Sequence, residues 1–135
     1  MAIDINIYNE SFEGKLPKKK ISDAVMRVFA AENVSDAKID IVLCNDNYIH
    51  SINKEFLSHD YATDVITFNL DEEILTGEIY ISYETATIQA KEYKVSLTNE
   101  LMRLAVHGAL HLLGYDDADD ESRQKMHELE NKYIS

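Results

Sequence analysis

Two histidines, His107 and His111, stand four residues apart in the C-terminal part of the chain. On a helix that spacing puts both imidazoles on one face, within reach of a single ion. Gly114 follows where a glycine can close a helix and let the chain reverse. The returning chain can then bring Asp117 back toward the histidine face, with Asp116 as the competing donor. Two imidazoles and a carboxylate suit zinc, with a fourth position left to water. Water bound in this way has its pKa lowered to roughly 7, so hydroxide becomes available at neutral pH.

A histidine pair alone more often marks two satisfied core residues than a metal site. Gly108, between the two, changes the balance. Glycine inside a helix costs ~1 kcal/mol relative to alanine and wants a reason. Close approach of another backbone, or of substrate, beside the histidines would supply one. The offsets also occur in the metalloprotease pattern H-E-x-x-H-x-x-G-x-x-H, some examples of which end in Asp. There the glutamate after the first histidine is the general base. Here that position is Gly108, so the metal scaffold is present and the peptidase base is missing.

These residues need a frame. Ile3, Ile5 and Ile7 alternate with polar residues, the period of a half-buried strand. Pro17 fits a first helical turn, and Ile21, Ala24, Val25, Val28 and Phe29 follow at helical spacing. A strand is expected over about 38–44, then a helix capped by Asn45 or Asp46 that buries Ile49, Ile52 and Phe56. Residues 63–69, TDVITFN, read as a strand, and Gly77 opens another with Ile79 and Ile81 on one face. Helices are expected from about Tyr83 to Lys94, from Thr98 to the Gly114 stop, and at the C-terminus, where Met126, Leu129 and Tyr133 share a side. The order β-α-β-α-β-β-α-α-α suggests one mixed four-stranded sheet with helices packed on it, in a single domain spanning 1–135.

The 135 residues carry 13 Lys and Arg against 25 Asp and Glu, a net charge of −12. That balance argues against broad, sequence-independent nucleic-acid binding, which depends on cations displacing counterions. A local basic patch can still act, because screening limits charge effects to ~8–10 Å. Lys15, Lys18, Lys19 and Lys20 are such a cluster, read most simply as a solvated helix start. Asp116, Asp117, Asp119, Asp120 and Glu121 form an acidic one, read as a loop. The single cysteine, Cys44, excludes an internal disulfide framework, fits a reducing compartment and is expected buried and inert. No apolar run is long enough to span a membrane, and the N-terminus lacks a signal-peptide pattern, so a cytoplasmic location is expected.

The segment from His107 to Asp117, HGALHLLGYDD, resembles the H-G-x-L-H-L-x-G-Y-D-H signature of the YbeY family of metal-dependent endoribonucleases. Residues 53–68, NKEFLSHDYATDVITF, are similar to the family's N-x-x-Y-R-x-x-D-x-P-T-D-V-L-S-F segment. Gly77-Glu78-Ile79 matches its G-D-I strand, and Met126 and Glu130 match M-x-x-x-E. The resemblance implies a zincin-like α+β fold and one zinc ion per chain. It implies cleavage of single-stranded RNA in 16S rRNA 3′-end maturation and ribosome quality control. Its implied partners are ribosomal RNA, the small ribosomal subunit and ribosome-assembly proteins. Carried over by position, His107 and His111 are the first two ligands, and Asp117 stands where the family has a third histidine. Leu57 replaces a family arginine, a natural phosphate clamp, and Ala62 replaces a proline. No side chain stands out as general base, so metal-bound water is the expected nucleophile, with Thr63 and Asp64 as candidates for support or substrate contact. The rival functions are a zinc metallopeptidase and a non-catalytic zinc-containing ribosome-assembly factor.

Overall fold

The computed structural model describes residues 2–10, 15–56, 65–71 and 74–135. Strand β1 (Ile3–Asn9) leads through helix α1 (Lys18–Ala31) to β2 (Ala37–Cys44). Helix α2 (Asp46–Phe56) precedes the pair β3 (Val65–Asp71) and β4 (Leu75–Ser82). Helices α3 (Tyr83–Tyr93), α4 (Leu97–Leu112) and α5 (Asp120–Ile134) complete the chain. The strands form one sheet in the order β1-β2-β4-β3. β1 and β4 run parallel to β2, and β3 is antiparallel to β4. Parallel neighbours need a crossover, which α1 supplies between β1 and β2.

Strand alternation divides the apolar residues between two faces. Ile39, Ile41 and Leu43 of β2 and Ile79 and Ile81 of β4 point to one side and are fully buried. There they meet the stripe of α1 named from its spacing, Ile21, Ala24, Val25, Val28 and Phe29, together with Leu101, Ala105 and Ala109 of α4. The other side carries a smaller cluster, Cys44, Ile49, Ile52 and Ile66, with Phe68 and Tyr80 packed against it. No helix among the described residues is long and apolar enough to cross a membrane.

Several boundaries differ from the sequence expectation for local reasons. Pro17 precedes α1 as its cap rather than lying in its first turn. The cap of α2 is Asn45, whose Oδ1 accepts from the Tyr48 N–H at 2.8 Å. Asp46 turns instead to α3, accepting from Thr85 Oγ1 at 2.8 Å and from Ser82 Oγ. The acidic run is only partly loop. Asp119 and Ser122 form a reciprocal cap on α5, and Asp120 and Glu121 occupy its first turn, where the helix dipole favours negative charge. Lys18, Lys19 and Lys20 are exposed at the start of α1.

Candidate metal centre

Helix α4 ends as its sequence suggests. Gly114 takes φ +100°, and the N–H groups of Gly114 and Tyr115 donate to the carbonyls of His111 and Leu110 at 3.0 and 3.1 Å. This pair of bonds closes the helix and turns the chain back. Two residues later Asp117 faces both histidines. His107 Nε2 and His111 Nε2 stand 2.9 Å apart. The Asp117 carboxylate lies 3.5 Å from His107 Nε2 and 3.8 Å from His111 Nε2. Asp116 is exposed, and its Oδ1 accepts from the Ala118 N–H at 3.4 Å, so Asp117 is the carboxylate brought to the histidines.

The three donor atoms fit a metal ion. All lie within 4.8 Å of one another. Ligands ~2.0–2.1 Å from a tetrahedral zinc stand ~3.3 Å apart, close to the three separations seen. The ring chemistry fits as well. His107 Nδ1 is 2.7 Å from Glu130 Oε2, so with the carboxylate accepting, the proton sits on Nδ1 and Nε2 keeps a lone pair. Burial pushes the His111 pKa below its ordinary value, and the neighbouring His107 adds to the effect; Asp117 and a hydrogen bond to the Tyr115 backbone oppose it. The ring is therefore favoured in its neutral form, the form that binds metals.

Glu130 and Arg103 hold this arrangement and carry no role in the sequence reading. Glu130 lies on the buried side of α5 with Met126 and Tyr133. One carboxylate oxygen takes His107, and the other accepts from Arg103 Nη1 at 3.2 Å. Arg103 also reaches Asn131 Oδ1 at 3.1 Å and lies 3.6 Å from Glu100 Oε1. The signal was available, because an acid at i+4 from Met126 and three before Tyr133 interrupts an apolar stripe. Tyr115 has a tethering position: its hydroxyl donates to Glu32 at the end of α1, and its backbone bonds the His111 ring.

The expected reason for Gly108 needs correction. A Cβ there would lie 2.7 Å from Cγ2 of Ile79. Glycine lets α4 sit directly on β4, so the close neighbour is a core side chain and not a backbone or a substrate. The same contact crowds out the glutamate that the metalloprotease pattern carries at this position. Thr63 and Asp64, with Leu57, His59 and Ala62, lie outside the described residues. Cys44 is buried, and burial with Glu10 and Asp46 nearby pushes its thiol up to about 12. A groove of about 790 Å³ opens beside the centre, with His107 and Asp117 at its wall together with Tyr93, Arg103, Arg123 and His127.

A family model described as endoribonuclease YbeY matches residues 6–135. The chain belongs to the YbeY family. It is 39% identical over 135 residues to the endoribonuclease YbeY of Chlorobium phaeobacteroides, covering 98% of this chain and 96% of that one. It is 38% identical to the endoribonuclease YbeY of Chloroherpeton thalassium, covering 96% of this chain and 92% of that one. A solution structure of a Thermotoga maritima protein aligns with a TM-score of 0.67 at 31% identity, covering 96% of this chain and 86% of that one. The α+β architecture with its mixed four-stranded sheet is thus shared with a solved structure, as the YbeY resemblance implied.

Proposed function

We propose that this YbeY-family protein is a single-strand-specific, metal-dependent endoribonuclease. In this reading it acts in the cytoplasm on the small ribosomal subunit, in 16S rRNA 3′-end maturation and ribosome quality control, alongside ribosome-assembly proteins. His107, His111 and Asp117 hold one zinc ion. The observation that carries the reading is the convergence of these three donors, within a chain that matches the family over nearly its whole length. Three ligands with an open fourth position suit catalysis better than a closed structural site.

A divalent ion held there would polarise a phosphoryl oxygen and make water acidic enough to attack near neutral pH. The protein supplies the geometry. Glu130 fixes the His107 ring through Nδ1, and Arg103 fixes Glu130 from α4. The Gly114 turn and the Tyr115–Glu32 bond set the approach of Asp117. Compared with a third histidine, Asp117 brings one more negative charge, which weakens Lewis acidity and raises the pKa of bound water.

Incubating purified protein with a single-stranded rRNA precursor, with and without chelator, tests this. Cutting at catalytic dilution that stops with chelator and returns with zinc is the expected result. Absence of cutting by fully zinc-loaded protein would overturn the nuclease reading. Hydrolysis of an unstructured protein substrate that depends on Asp117 would replace it with a peptidase.

A further inference from the structure

The groove beside the centre runs from His107 and Asp117 between α3, α4 and α5. Its volume, about 790 Å³, lies within the ~300–1,000 Å³ typical of sites that enclose organic ligands. Three cationic or imidazole side chains line it beyond His107, and they are not equivalent. Arg103 is 16% exposed and is held by Glu130, Glu100 and Asn131. Arg123 and His127 are 57% and 67% exposed. They stand four apart on α5, so they share one side of that helix. Arg123 is ion-paired with Asp120, which is itself almost fully exposed. An ion pair in that setting contributes little and is screened by salt, so a phosphate can take its place.

The acids of the groove do not repel an anion as their number suggests. Glu130 is engaged by His107 and Arg103, Glu100 lies beside Arg103, Asp117 belongs to the donor set, and Asp120, paired with Arg123, is almost fully exposed and so screened by solvent and salt. On the opposite wall Tyr93 ends α3 with 60% exposure, too exposed to serve the core. A tyrosine ring placed at the mouth of a groove offers a flat surface on which an unstacked base can lie.

Resting on the ribonuclease reading, we propose that this groove is the path of the RNA strand. Arg123 and His127 contact a phosphate adjoining the one at the donor triad, and Tyr93 stacks a base. A paired base inside a duplex presents no free face to Tyr93, so the groove itself selects single strands.

The test is fluorescence anisotropy of a labelled single-stranded oligoribonucleotide with zinc-loaded protein, read before product accumulates, over a series of salt concentrations. Arg123→Ala should weaken binding about tenfold and flatten the slope of log K against log salt by ~0.7, the value for one phosphate contact on a single strand. Combining it with His127→Ala should weaken binding further. Tyr93→Ala should weaken binding by a factor of ~5 to 100 with the slope unchanged, and Tyr93→Phe should restore it. Wild-type protein that binds and cuts RNA, alongside folded variants with unaltered affinity and slope, would overturn the groove assignment alone. Wild-type protein that neither binds nor cuts would overturn it together with the ribonuclease reading.

Discussion

Helix α4 has two flanks built on opposite principles. Leu101, Ala105, Gly108 and Leu112 lie along the flank that meets the sheet and α1, and all are buried. Glu100, Arg103, His107 and His111 lie along another, at spacings of three, four and four, and three of them reach α5 or the Asp117 turn. The apolar flank stabilises by removing area from water, roughly 25 cal/mol per Å². The polar flank returns little net stability, because desolvating paired charges offsets most of their attraction. What it supplies is orientation. One helix thus carries the fold on one side and the chemistry on the other, and changes on the two sides should have separable effects.

Phe29→Ala probes the fold side most severely. The ring is fully buried in the larger apolar cluster, and its loss should cost about 3–5 kcal/mol of unfolding free energy in a denaturant titration. Zinc affinity of the fraction that remains folded should be unchanged. Glu130→Ala probes the other side. It releases the His107 ring and should lower zinc affinity about 10–100-fold in a chelator competition, with Glu130→Gln intermediate because it still offers His107 an acceptor. If Glu130→Ala lowered stability as much as Phe29→Ala and left zinc affinity intact, the division between the flanks would fail.

Tyr115→Phe should have a smaller effect. It deletes one hydrogen bond to Glu32, about 1 kcal/mol, and should show mainly as faster zinc release, since the turn carrying Asp117 loses its tie to α1. The smallest effect belongs to Cys44, far from the polar flank in the second apolar cluster. With its thiol pushed up to about 12 and fully buried, it should resist a disulfide reagent at pH 8 in native protein and react only on unfolding. Rapid labelling without unfolding would show that this face of the sheet opens on its own.

Much of this arrangement is legible in the sequence, because it rests on period and on local turn chemistry. The apolar stripe of α1 and the alternation in β1 follow from spacing alone, and Gly114 stops α4 with the positive φ that glycine accepts most readily. The pair His107 and His111 and the returning Asp117 follow from the same rules. Long-range polar partners do not. Glu130 meets His107 across 23 positions and Tyr115 meets Glu32 across 83, distances over which no local pattern specifies a pairing. The reason for Gly108 was misread on the same ground, since Ile79 is brought beneath it only by tertiary packing. Asn45 and Asp46 are locally equivalent caps, and the choice between them is made by Ser82 at the end of β4 and Thr85 in the first turn of α3.

The most direct test is elemental analysis of protein purified without chelators, on wild type and on two single variants of the turn. Wild type and Asp116→Ala should each carry close to one zinc per chain, and Asp117→Ala should carry little. Zinc retained by Asp117→Ala, or a wild-type protein with no stoichiometric metal, would contradict the assignment of His107, His111 and Asp117 as a metal centre.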